Sequence, residues 1–131
     1  PEVSRILRGY QGDVAIHSFN PFSLGWFRRN HPGLCRGQIS CSFDTDDMAG
    51  WKKLILANYG MNWMSRPQFI SHHWTQLPAI VPIFLRRLAG VPLLSWTVRS
   101  SQEQSAALLL SDNVFFEAYV PSLRQQSPFK A

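Results

Sequence analysis

Five short apolar runs alternate along the chain with stretches whose apolar positions recur at helical spacing. The runs occupy residues 14–18, 37–43, 68–72, 92–98 and 114–119. They lack a clean alternation of apolar and polar residues, the pattern of strands covered on both faces of a parallel sheet. Their starts lie roughly 22 to 31 residues apart, the length of one strand–helix unit. Residues 2–8 put Val3, Ile6 and Leu7 on one face and Arg5 and Arg8 off it, so they read as a helix already in progress. The order predicted is a helix, four strand–helix units and a closing strand. Right-handed crossovers allow this to be an open doubly wound sheet or a piece of a closed barrel.

The helices carry start and stop signals. Asn20 is a candidate N-cap with Pro21 at the first helical position, and the body runs over 22–30. A third helix is expected to start at Asp44, Thr45, Asp46 and Asp47, which puts negative charge on its N-terminus, and Gly60 is its candidate C-terminal glycine. The fourth covers 77–88, with Pro82 imposing a kink or a late start. The fifth opens on a capping box of Ser100 and Glu103 and runs to Ser111. Residues 122–131 are polar and predict a frayed tail. No linker or repeat divides the 131 residues, which suffice for one packed domain.

The formal net charge of +5 changes this picture little. The arginine pairs Arg28-Arg29 and Arg86-Arg87 sit inside amphipathic segments. No basic run is interleaved with aromatics, so no nucleic-acid partner is expected. Cys35 and Cys41 do not make a disulfide framework and read as buried free thiols of a reducing compartment. No apolar stretch is long enough for a membrane span. The chain does not begin with Met, which suggests part of a longer protein.

In parallel α/β folds chemistry gathers at the C-terminal ends of the strands. Those ends offer His17, Ser18 and Phe19; Ser40 and Ser42; His72, His73 and Trp74; Trp96 and Thr97; and Glu117 and Tyr119. Each serves as a cap for the following helix or as a ligand contact. His72 and His73 are neighbours on a strand and point to opposite faces, so they do not form a metal pair. Ser18 lacks a nucleophile elbow. The Asp44–Asp47 cluster lacks the glycine and closing glutamate of a calcium loop. No phosphate-binding glycine loop occurs.

Several segments, in order, resemble the bacterial cytoplasmic-type glycerophosphodiester phosphodiesterases. Ser18-Phe19-Asn20-Pro21, closing residues 10–21, is similar to the family's "SFNP" strand and turn. Residues 31–39, from His31-Pro32-Gly33 to Arg36-Gly37-Gln38-Ile39, resemble the opening of its next strand, and residues 67–71 the strand after that. Trp96-Thr97-Val98 matches its "WTV" strand, and residues 112–121 resemble its closing strand.

The resemblance implies the C-terminal part, about five parallel strands, of a TIM-type (βα)8 barrel of the phospholipase C-like phosphodiesterase type. Residues 1–131 would then be a single partial domain. It implies hydrolysis of glycerophosphodiesters to glycerol 3-phosphate and an alcohol, in glycerol and lipid metabolism, and a cytoplasmic location. It also implies a divalent cation, Mg²⁺ or Ca²⁺, and two catalytic histidines. The family motifs that supply them do not occur here and would precede Pro1, so this chain alone is expected to be inactive, with no catalytic or metal-binding residue of its own. What carries over is a pocket wall: Phe19 and Trp96 match aromatic strand-end positions, with Ser18, His72 and Glu117 beside them. Glu117 stands where the family more often has Asp, so a structural cap and a substrate contact both fit. The alternative is a non-catalytic half-barrel module that binds a ligand. Open barrel edges would favour homo-oligomers, and their interior face is expected to expose Ile16, Ile39, Ile70, Leu94 and Phe116.

Overall fold

A computed structural model describes residues 2–43, 47 and 49–121. The expected helix start at Asp44, Thr45 and Asp46, and the tail 122–131, lie outside the described residues. Five strands form, β1 (Ala15–Ser18), β2 (Cys35–Ser40), β3 (Phe69–His73), β4 (Leu93–Val98) and β5 (Asn113–Phe116). They pair in parallel in the order β1-β2-β3-β4-β5. β2 stops at Ser40 rather than continuing to Phe43, whose backbone turns left-handed with φ 55°.

The helices are α1 (Glu2–Arg8), α2 (Pro21–Asn30), α3 (Gly50–Ala57), α4 (Asn62–Ser65), α5 (Ile80–Leu88) and α6 (Ser101–Ala107). α2 begins as its sequence predicts: the Asn20 carboxamide oxygen accepts from the N–H groups of Phe22 and Ser23, and Pro21 follows. α3 begins at Gly50, and no acid stands in its first turn. It ends in a Schellman motif, in which Gly60 N–H donates to Ile55 and Tyr59 N–H to Leu56. Tyr59, with φ 56°, takes the left-handed position expected of Gly60. Of the alternatives for Pro82, the late start holds: a 3₁₀ turn (Trp74–Gln76) comes first, and Pro82 falls in the first turn of α5, where its missing N–H costs no helical bond. Ser100 caps α6 by accepting from Glu103 N–H, while the Glu103 carboxylate reaches back to Arg99 N–H. The helix ends at Ala107, short of Ser111.

Register assigns the two faces of the sheet. Ile70 lies beside Leu93, and both pack with Tyr59 against Val81, Ile83 and Leu85 of α5. The row Gln38, Ile70, Leu93 therefore faces the helices, as do Ser40, which donates to the Leu56 carbonyl of α3, and Ile16, two positions along from that row's β1 member. The alternate row Ile39, Ser71, Leu94 faces the concave interior. Ile70 and Ile16 are thus not interior residues. Nor is Phe116, which packs on Tyr119, whose hydroxyl donates to Gln104 of α6. The two-residue period of a strand enforces this: Ile39 and Ile70 cannot share a face once Ile39 pairs with Ser71.

The sheet is strongly curled. Strand spacing of about 4.8 Å would put β1 and β5 about 19 Å apart in a flat sheet. Yet His17 of β1 stacks on Phe115 of β5 with ring centroids 4.6 Å apart. Phe69 of β3 joins them from 6.4 Å. Gly37 makes room: an alanine Cβ there would stand 2.1 Å from the Phe69 ring. An aromatic layer of this chain's own side chains thus spans the interior of the half-barrel from β1 to β5.

Candidate pocket wall at the strand ends

Above that layer, at the C-terminal ends of the strands, four rings meet. Phe19, just past β1, stands edge-on to Trp96 of β4 at 5.5 Å and to Phe43, just past β2, at 5.9 Å. His73, the last residue of β3, stands edge-on to Trp96 at 4.9 Å. The ends of four successive strands thus supply one aromatic wall. Its rim is fixed by Gln76, whose side chain accepts from Ser42 N–H and donates to the Ser42 hydroxyl. His73 Nδ1 bonds Thr75 Oγ1 at 2.8 Å, which fixes the ring against Trp96. The Trp96 indole N–H is buried without an acceptor among the described residues.

The structure brings Phe19 and Trp96 together, as their strand-end positions predict, and separates the other three. His72 turns to the helix face, where it is buried and its Nδ1 lies 3.1 Å from the Tyr59 hydroxyl. The Tyr59 O–H donates to the Ser71 carbonyl, so His72 Nδ1 carries the proton and donates to Tyr59. Burial, reinforced by neighbouring His73, lowers the His72 pKa to about 4. Partial burial lowers the pKa of His17, in the layer beneath the wall, in the same direction. The Ser18 hydroxyl accepts from Asn20 N–H and shapes the turn into α2. Glu117 is exposed and paired with Arg99 at 2.6 Å, tying the end of β5 to the residue before the Ser100 cap. His73 and Phe43 belong to the wall and were not singled out for it. The signal for His73 is strand parity: it shares the face of Ser71, opposite His72.

Beyond Phe19 and Phe43 the wall opens into a cavity of about 1000 Å³ between the start of α2 and helices α3 and α4. The helices are locked there by Gly25, against which Met64 packs, and by Arg28, which donates to the Met64 carbonyl.

The donors for a divalent cation do not converge. Among the described residues no group of three His, Cys, Asp or Glu side chains is placed to hold a metal ion. The wall is apolar, with one histidine that is already engaged. These described residues do not fit a resident metal. Cys35 and Cys41 form no disulfide, and both are half-buried rather than buried. No helix among the described residues is long and apolar enough to cross a membrane.

No protein-family model and no curated protein matches the chain. Solved structures do. A protein from Silicibacter pomeroyi DSS-3 named as a glycerophosphoryl diester phosphodiesterase superposes with a TM-score of 0.53 at 20% identity, over 78% of this chain and 33% of its own. An Oleispira antarctica phosphodiesterase, solved in complex with the product sn-glycerol-3-phosphate, superposes with a TM-score of 0.57 at 19% identity, over 88% of this chain and 43% of its own. The likeness is one of fold: five curled parallel strands with the architecture of part of a TIM-type phosphodiesterase barrel. The chain spans well under half the length of either structure.

Proposed function

We propose that this chain is the C-terminal portion of a metal-dependent phosphodiesterase that hydrolyses glycerophosphodiesters to glycerol 3-phosphate and an alcohol. In this reading the wall of Phe19, Phe43, His73 and Trp96 forms the side of the pocket away from the metal, and the cleaving residues lie in the rest of the barrel. The observation that carries it is the aromatic wall itself, at the strand-end face where parallel barrels place their sites. The ordered "SFNP" and "WTV" segments put Phe19 and Trp96 on that wall, and the likeness in fold to phosphodiesterase structures supports the same reading. A small ligand is oriented by apolar surface and a few polar groups. Here the surface is the four rings. The cation the reaction would use supplies Lewis-acid activation, and its ligands belong outside this chain.

Trp96→Ala tests the assignment in the longer protein that carries these residues. Loss of this aromatic surface costs about 1–3 kcal/mol of transition-state binding, a roughly ten- to hundredfold fall in kcat/KM, with metal affinity unchanged. An unchanged kcat/KM with collapsed metal affinity would show that the wall is misassigned.

A further inference from the structure

The cavity beyond Phe19 has a composition of its own. It is lined by Phe19, Phe22, Trp51, Ile55, Met61 and Trp63, among others, and the single charged residue lining it among the described residues is Lys52, whose ammonium lies 5.5 Å from the Trp51 ring. Phe19 belongs both to this cavity and to the aromatic wall, so the two are continuous. Its rim residues are left open to solvent: Phe22 is 64%, Trp51 64% and Trp63 73% exposed. Further barrel strands would not cover them. α3 and α4 connect β2 to β3, neither of which is an edge strand, whereas added strands would join at β1 or β5. A large apolar cavity with one cation, opening from a small-ligand wall, matches a ligand with a polar anionic head and a long apolar tail.

We propose that this cavity takes the hydrocarbon chain of a monoacyl glycerophosphodiester, that is, a lysophospholipid-type substrate. The proposal rests on the phosphodiesterase reading above and narrows its substrate class. The head lies against Trp96 and Phe19, the chain runs between α2 and α3 over Ile55 and Met61, and Lys52 faces the anionic diester from the cavity side. Among the described residues no carboxylate lines the cavity to oppose that charge.

The test measures binding without turnover. Acylglycerophosphoglycerol analogues with a phosphonate head and a bromine-labelled chain of increasing length are titrated below their critical micelle concentration, and tryptophan quenching is followed. A fully buried methylene is worth about a fourfold gain in affinity, so four added methylenes should tighten binding by at least roughly tenfold even with partial burial. Ile55→Lys and Trp63→Ala should each abolish that chain-length dependence. Trp63 is exposed, so its replacement leaves the fold intact. Affinity independent of chain length in the wild type, or a dependence that survives both substitutions, overturns the proposal. So does a dimer in sedimentation that Ile55→Lys dissolves with no quenching by the probes, since a second copy is then the occupant. Hydrolysis of the chainless glycerophosphoglycerol, with Mg²⁺ or Ca²⁺ added, is assayed separately in the longer protein that carries these residues. Chain-dependent quenching without hydrolysis supports the cavity assignment and removes the phosphodiesterase reading, whereas hydrolysis without chain dependence does the reverse.

Discussion

His72 shows how one residue step in a strand changes a side chain's part. On the interior face it would join the pocket; one residue earlier than His73, it is instead a core group holding Tyr59 to the sheet. Its depressed pKa makes it a pH liability. The unfolded chain binds a proton at the ordinary histidine value of 6.5 and the folded chain only near 4. Between those values the unfolded state holds more protons, so stability falls as pH falls through that window. The loss approaches about 3 kcal/mol at the acid end. His17, lowered in the same direction by burial, adds to it. Urea unfolding at pH 7 and at pH 4.5 should show the loss, and His72→Gln should flatten it. Equal pH dependence in the variant would mean that His72 is protonated in the folded protein without penalty.

At the scale of elements, the curl of the sheet depends on Gly37. Its missing Cβ lets the Phe69 ring lie across β2 and meet His17 and Phe115. Gly37→Ala should cost about 1–3 kcal/mol, the ordinary penalty of overpacking, and the cost should shrink in a Phe69→Leu background because the two positions share one space. Additive losses in the double variant would place the ring elsewhere. This contact was not legible in the sequence, because it joins β1, β3 and β5 and only a curved sheet brings them together. The strands were legible, since their apolar runs and spacing are local signals, and so were Asn20 and Ser100, whose capping chemistry is complete within a few residues. The far end of α3 was not: Tyr59 rather than Gly60 takes the left-handed position there, and its core position outweighs the preference for glycine. Of the site, Phe19 and Trp96 were read from motifs. His73 required the parity of β3, and Trp51 and Trp63 only become neighbours of Phe19 once α3 and α4 fold back over β2.

For the whole molecule, five parallel strands leave β1 and β5 as unpaired edges. The aromatic layer lets the half-barrel pack much of its own interior, but it does not supply the donor set of a metal centre. The proposed division of labour is that this chain shapes the pocket and the remaining strands, pairing at those edges, perform the cleavage. The direct test is glycerol 3-phosphate release from glycerophosphocholine with Mg²⁺ or Ca²⁺, comparing the 131-residue chain with the longer protein that carries it. The account predicts metal-dependent release by the longer protein and none by the 131-residue chain. Metal-dependent turnover by that chain alone, or none by the longer protein, would contradict it.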